Sequence, residues 1–260
     1  MRAEFALPVL VAGLAVFIAG VGVRDARART RRQAVAALTR DTTIMRAGVS
    51  QGTVRRAFIP DGKGQSVSAD DLRRRVGNLA LGTYVGDILA EQDSALYSWP
   101  EHLNNAMRVY VSTSSVIAGF DPHYPQMARD VFGEWSDAGF PLRFTFIYDS
   151  SSADITIGWV ERFGADEGQR IGVTERTQTS DFHIAKAAIA IANHDSTGRP
   201  LSAVAVGGIL RHEVGHALGL NHANDPSSVM YHESATATIS ASDRATLRLL
   251  YLVPPGSLKH

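Results

Sequence analysis

Twelve consecutive residues, Arg211 to His222, read Arg-His-Glu-Val-Gly-His-Ala-Leu-Gly-Leu-Asn-His and hold the densest set of groups able to do chemistry. His212 and His216 are four residues apart, so on a helix they lie one above the other and can aim two imidazole nitrogens at one ion. Zinc in hydrolases usually takes three protein ligands and keeps a fourth position for water. His222 is the candidate third ligand. A continuing helix would carry it away from the other two, but Gly219 stands where the chain can leave the helix, because glycine adopts the left-handed conformation at little steric cost. Glu213, beside the first ligand, is placed to take a proton from a zinc-bound water. The ordinary alternative, an amphipathic helix with incidental histidines, would have to seat a glutamate and two histidines among Val214, Ala217, Leu218 and Leu220. Buried positions rarely tolerate such groups without partners.

The elements that must position these groups follow from periodicity. Leu201 to Leu220 is expected as the long helix bearing the first two ligands, and Ser242 to Tyr251 as a final helix. Met107 to Ser112, Leu142 to Tyr148 and Asp154 to Trp159 alternate apolar and polar residues as half-buried strands do. Ile171 to Thr174 and Phe182 to Ala192 are expected as further strands. Between the first two lies a helix opened by Asp121 and Pro122, with Met127, Val131, Phe132 and Trp135 on its apolar face. Ser68, with Asp70 and Asp71 after it, starts another helix by capping and first-turn charge. Strands interleaved with helices, ending in helices, give an α/β or α+β domain.

Composition sets bounds on partners and compartment. The chain has 260 residues, formal charge near zero and 45% hydrophobic content, enough for one good core with appendages. Neutrality gives no reason to expect a nucleic-acid partner. With no cysteine, disulfides, thiolate metal ligands and cysteine nucleophiles are excluded, as is inhibition of a zinc by a cysteine in a pro-segment. Ala6 to Val23 is an uncharged apolar run followed by Arg24, Arg27, Arg29, Arg31 and Arg32, long enough to span a bilayer. A cleavable signal is the rival reading, through Ala26-Arg27-Ala28. The arginines argue for a cytoplasmic following chain, whereas a zinc site of this type suggests the opposite side; long domains translocate despite flanking charge. The sequence thus divides into residues 1–23 as transmembrane anchor or signal segment, 24–96 as stem, linker or pro-like spacer, and 97–260 as the domain carrying the zinc site.

The spacing His-Glu-x-x-His-x-x-Gly-x-x-His resembles the metzincin metalloproteases. Within them the chain is similar to a matrixin, through Val131 to Thr145 with Trp135 and Leu142-Arg143-Phe144, through Ala153-Asp154-Ile155, and through Asp225-Pro226-Ser227-Ser228-Val229-Met230-Tyr231. The resemblance spans about residues 97 to 253. It implies a twisted, mostly parallel sheet with an active-site helix and a C-terminal helix, here preceded by an N-terminal hydrophobic helix. It implies one catalytic zinc, a Met-turn with Met230 as an apolar floor under the metal, and an endopeptidase acting on proteins or peptides, while the membrane is expected as a partner through the N-terminal apolar run, with the catalytic domain on its extracytoplasmic side. Substrate in matrixins lies along an edge strand, for which Ile171 to Thr174 or Phe182 to Ala188 are the candidates. His232 stands where matrixins usually carry proline, in a segment that walls the specificity pocket. No matrixin-type structural zinc set is found, and His183 and His194 are read as isolated. Asp154, Asp166, Glu167 and Asp181 are the acids available to a calcium ion, without a calcium-binding spacing. Two rival functions stand beside the protease: a non-catalytic zinc-stabilised binding module on a membrane, and a latent zymogen occluded by residues 24–95. The sequence gives no reading of oligomeric state.

Overall fold

A six-stranded sheet in the order β1-β6-β7-β5-β3-β4 forms the frame of the molecule. The computed structural model describes residues 54–59 (backbone only), 67–100, 106–137, 142–233 and 238–259, all within one compact unit. The strands are β1 (Val54–Ile59), β3 (Met107–Val111), β4 (Phe144–Phe146), β5 (Ile155–Val160), β6 (Gly172–Thr179) and β7 (Ile184–Ala192). A short ribbon joins β2 (Ala95–Leu96) to β8 (Gly256–Ser257). All sheet pairings are parallel except β6 with β7, so the expected mixed α/β architecture with a mostly parallel sheet is what the chain adopts. The expected N-terminal hydrophobic helix lies outside the described residues. No helix among the described residues is long and apolar enough to cross a membrane.

Alternation explains the strands. In β3, Met107, Val109 and Val111 are buried while Arg108 is exposed, and in β5 Ile155, Ile157 and Trp159 are buried in turn. β7 lies between β6 and β5, with both its edges hydrogen-bonded. That corrects one candidate for the substrate edge: of Phe182 to Ala188, Phe182 lies in the turn before β7 and the strand residues from Ile184 on are interior to the sheet. β6 is longer than Ile171 to Thr174 suggested, since Glu175, exposed, and the buried polar Arg176 and Gln178 hide its continuation from a hydrophobic reading.

Among the described residues there are five α-helices, α1 (Ala69–Leu79), α2 (Val85–Glu91), α3 (Tyr124–Ser136), α4 (Ala203–Ala217) and α5 (Ala241–Leu252). Ser68 caps α1 by accepting from the Asp71 amide at 3.3 Å, as its hydroxyl and the following acids predict. In α3 the proline of the first turn is Pro125, so the helix starts a few residues after Pro122. Ser202 caps α4, and Ser240 with Asp243 forms a capping box on α5.

Two findings concern the segment expected as stem or spacer. Val54–Ile59 is a strand, although its paired arginines Arg55 and Arg56 interrupt any alternation. Leu72, Val76, Tyr84, Val85 and Ile88, from α1, α2 and the turn between them, belong to the same apolar core as Trp135, Ile155, Leu210 and Leu250.

Candidate metal centre

Helix α4 ends at Ala217, and the manner of its ending places the third histidine. Gly219 has φ +108, and a Cβ there would lie 2.7 Å from the Tyr97 carbonyl oxygen, so both backbone conformation and space require glycine. The last carbonyls of the helix, which lack partners within it, are all engaged. Leu218 N–H donates to Val214, Leu220 N–H to Gly215 and Gly219 N–H to His216. Trp99 Nε1 donates to Ala217 O at 2.9 Å and Tyr251 Oη to Leu218 O at 2.9 Å. Arg176, fully buried on β6, donates to His216 O at 3.1 Å and to Asn221 Oδ1 at 2.7 Å, placing its charge at the negative end of the helix dipole.

The reversal brings His222 to the other two histidines, and ligand nitrogens of His212, His216 and His222 lie within 4.8 Å of one another. His212 Nδ1 is 2.7 Å from Val229 O, and His216 Nδ1 is 3.0 Å from Leu220 O. A carbonyl only accepts, so each Nδ1 carries the hydrogen and each Nε2 presents a lone pair. Burial holds both rings neutral, depressing His212 to about 3 and His216 well below its ordinary value. Yet the two Nε2 atoms face each other at 2.9 Å, and His222 Nε2 is buried with no hydrogen-bond partner. Two lone pairs at that distance repel; a cation accepting both relieves the repulsion and satisfies the third nitrogen. The donor set, three neutral imidazoles, is one that zinc takes.

Glu213 is fully buried beside these rings, and burial pushes its carboxyl up to about 8 against the lowering effect of its Thr174 hydrogen bond. A divalent cation nearby acts in the same direction as Thr174. Thr174 Oγ1 donates to Glu213 Oε2 at 2.6 Å, while Oε1 has no hydrogen-bond partner within the protein. The space for Oε1 is made by Gly172, where a Cβ would lie 2.4 Å from it.

Met230 is a fully buried side chain, close enough to helix α4 that a Cβ on Gly215 would stand 2.4 Å from its Sδ. The turn before it is tied down by Asp243, which accepts from Val229 N–H at 3.0 Å, from Ser240 N–H at 2.7 Å and from the Ser228 hydroxyl. Asp243 is thus the capping acid of α5, and through Val229 it also fixes the carbonyl that orients His212. Trp135 is core, as expected, with Nε1 donating to Arg211 O at 3.1 Å.

Other groups singled out in the sequence lie elsewhere. His183 and His194 join no ligand cluster among the described residues. Of the acids available to calcium, Asp154 pairs with Arg108 at 2.7 Å, Asp181 accepts from Thr179, and Asp166 and Glu167 sit in the 3-10 turn Ala165–Glu167. His232 packs against Tyr231 in a tilted arrangement, with centroids 4.5 Å apart.

The family follows from a match that covers more than half of the chain: this protein belongs to the matrixins of the peptidase M10 type, whose family model matches residues 110–252. Metalloendoproteinase 1-MMP of Arabidopsis thaliana is 30% identical over 112 residues, which are 40% of this chain and 30% of that relative. The match thus spans less than a third of that relative's length. A chain of the GM1-bound form of the ECX AB5 holotoxin aligns at a TM-score of 0.44 with 15% identity, covering 65% of this chain and 88% of that one, a likeness too loose to bear on fold or function.

Proposed function

We propose that the chain is a zinc-dependent endopeptidase in which His212, His216 and His222 hold the metal and Glu213 serves as general base and then general acid. The observation that carries this reading is the pair of Nε2 lone pairs facing each other at 2.9 Å beside a buried carboxylate with an unpartnered oxygen. Zinc held by three neutral imidazoles supplies Lewis acidity, lowering the pKa of a water toward ~7 and polarising the peptide carbonyl. Thr174 fixes one oxygen of Glu213, which leaves Oε1 to accept the water's proton. The same oxygen then returns the proton to the leaving amine. Val229 O and Leu220 O hold the His212 and His216 rings in the tautomer that binds metal. Met230 closes the floor of the site to water. A zinc-stabilised binding module has no use for Glu213, because structural zinc has its fourth position filled by protein. The test is chelation: peptide-cleaving activity should vanish with a zinc chelator and return with stoichiometric zinc. Activity that survives complete metal removal would contradict the assignment.

A second reading, latency, is favoured by one observation. β1 runs parallel along the outer edge of β6, from Val54 opposite Thr174 to Ile59 opposite Thr179. An extended peptide pairing with β6 must take those main-chain positions from it. Thr174, where β1 begins, is the residue bonded to Glu213. Deleting residues 1–66 should raise kcat/KM for a peptide substrate if β1 competes with it; an unchanged value counts against latency. We place the protease domain outside the cytoplasm, anchored through Ala6 to Val23 or released by cleavage after it. Extraction of the intact chain from membranes by alkaline carbonate would count against the anchor.

A further inference from the structure

The metal centre has a member outside the family-matched segment. Two of the three histidines are oriented by backbone carbonyls, but His222 faces a carboxylate from helix α2: Glu91 Oε1 is 3.4 Å from His222 Nδ1, and Glu91 Oε2 accepts from the His222 backbone N–H at 3.2 Å. Both side chains are mostly buried, Glu91 at 16% and His222 at 22% exposure. The same helix holds the loop one turn earlier, where Asp87 accepts from Asn224 N–H at 2.9 Å and from its side-chain amide at 2.8 Å. Gln92, at the end of the helix, donates to Asn221 Oδ1 at 2.9 Å. Three successive contacts from Asp87 to Gln92 therefore fasten residues 221–224.

We propose that Glu91 is a positioning residue of the metal site: it fixes the ring and tautomer of His222, so that the upstream helix α2 completes the zinc centre. The inference rests on the zinc reading above. The chemistry requires a carboxylate at this place. A carboxylate oxygen only accepts, so it selects the tautomer with hydrogen on Nδ1 and leaves Nε2, buried and without a partner in the protein, as the ligand atom. Its two oxygens serve the ring and the backbone amide of one residue separately, which an amide side chain, with a single acceptor oxygen, does not. His212 and His216 draw their orientation from the loops after α4, whereas His222 draws its own from a helix more than a hundred residues earlier in the chain.

Zinc affinity of the full chain, measured by competition with a chromophoric chelator, tests this for the unaltered protein, Glu91→Gln and Asp87→Asn. The cobalt-substituted absorption spectrum and the thermal melt of each chelator-stripped protein accompany it. The expected result is a roughly 10–100-fold weaker affinity for Glu91→Gln, a shifted cobalt band and an unchanged stripped-protein melt. Asp87→Asn, which loosens the same loop without touching a ligand, should leave the cobalt band in place and lose much less affinity. Equal affinity and band position for Glu91→Gln and the unaltered protein would overturn the proposal. So would equal losses in Glu91→Gln and Asp87→Asn, which would make the helix a mere loop support. If the unaltered chain binds no zinc, the metal reading itself falls, and this inference with it.

Discussion

Glu213 is the residue on which the proposed chemistry turns, and its environment predicts how it responds to change. It is buried, which disfavours its charge, and Thr174 donates to it, which favours the charge. A base must be ionised to act, so activity falls as pH drops through the pKa of Glu213. Thr174→Val removes the donor and raises that pKa, moving the acidic limb of the kcat/KM profile to higher pH; a limb that stays in place or moves down would contradict the assigned role. Gly172→Ala puts a methyl where Oε1 lies and should cost activity while leaving zinc content intact, as metal analysis beside a peptide assay can check. The candidate ligands and the proposed base could be picked out in the sequence because they sit within eleven residues, two histidines at helical spacing and the third just past a glycine. Gly172, Thr174, Arg176 and Glu91 were not, because each meets the site across the fold from a strand or helix that carries no motif. Only Gly172 and Thr174 left a trace, as part of a short strand among the candidates for the substrate edge.

At the scale of elements, the end of α4 is the determining structure. Gly219→Ala combines a strained φ with a clash against the Tyr97 carbonyl and should cost ~1–3 kcal/mol, or a melting shift of about 2–4 °C per kcal/mol. Arg176→Met leaves the His216 carbonyl and Asn221 without their cation and should destabilise the zinc-free protein by about 2–4 kcal/mol in denaturant unfolding. If it is neutral, Arg176 is not what secures the helix end. Most elements were legible, since β3, β5, α3 and α5 carry clean alternation or helical spacing. β1 was not: strand pairing with a distant partner can override a local sequence that lacks a pattern. The C-terminal half of β6 was missed for a related reason, since its buried positions beyond Thr174 are polar ones, Arg176 and Gln178, of which Arg176 holds the end of α4 and the loop after it.

For the molecule as a whole, the upstream helices are part of the core that supports the site. A fragment starting at residue 97 would lose Leu72, Val76, Tyr84, Val85 and Ile88 from the core along with Glu91. Five buried apolar side chains at ~1.5–3 kcal/mol each amount to most of a domain's usual stability of about 5–15 kcal/mol. The fragment is therefore expected to be unfolded by circular dichroism, whereas a chain starting at residue 67 folds; a cooperative melt from the shorter fragment would refute this. The sequence suggested a domain starting at residue 97, about where family-like patterning begins, and no local pattern announces that α1 and α2 belong to the same core. The most direct measurement of the central claim uses the full chain and Glu213→Ala, with bound zinc and cleavage of a mixed-peptide library determined for both. One zinc in each, with cleavage reduced about 10²–10⁴-fold or more in the variant, is the predicted result. Equal cleavage by both, or zinc in neither, would contradict it.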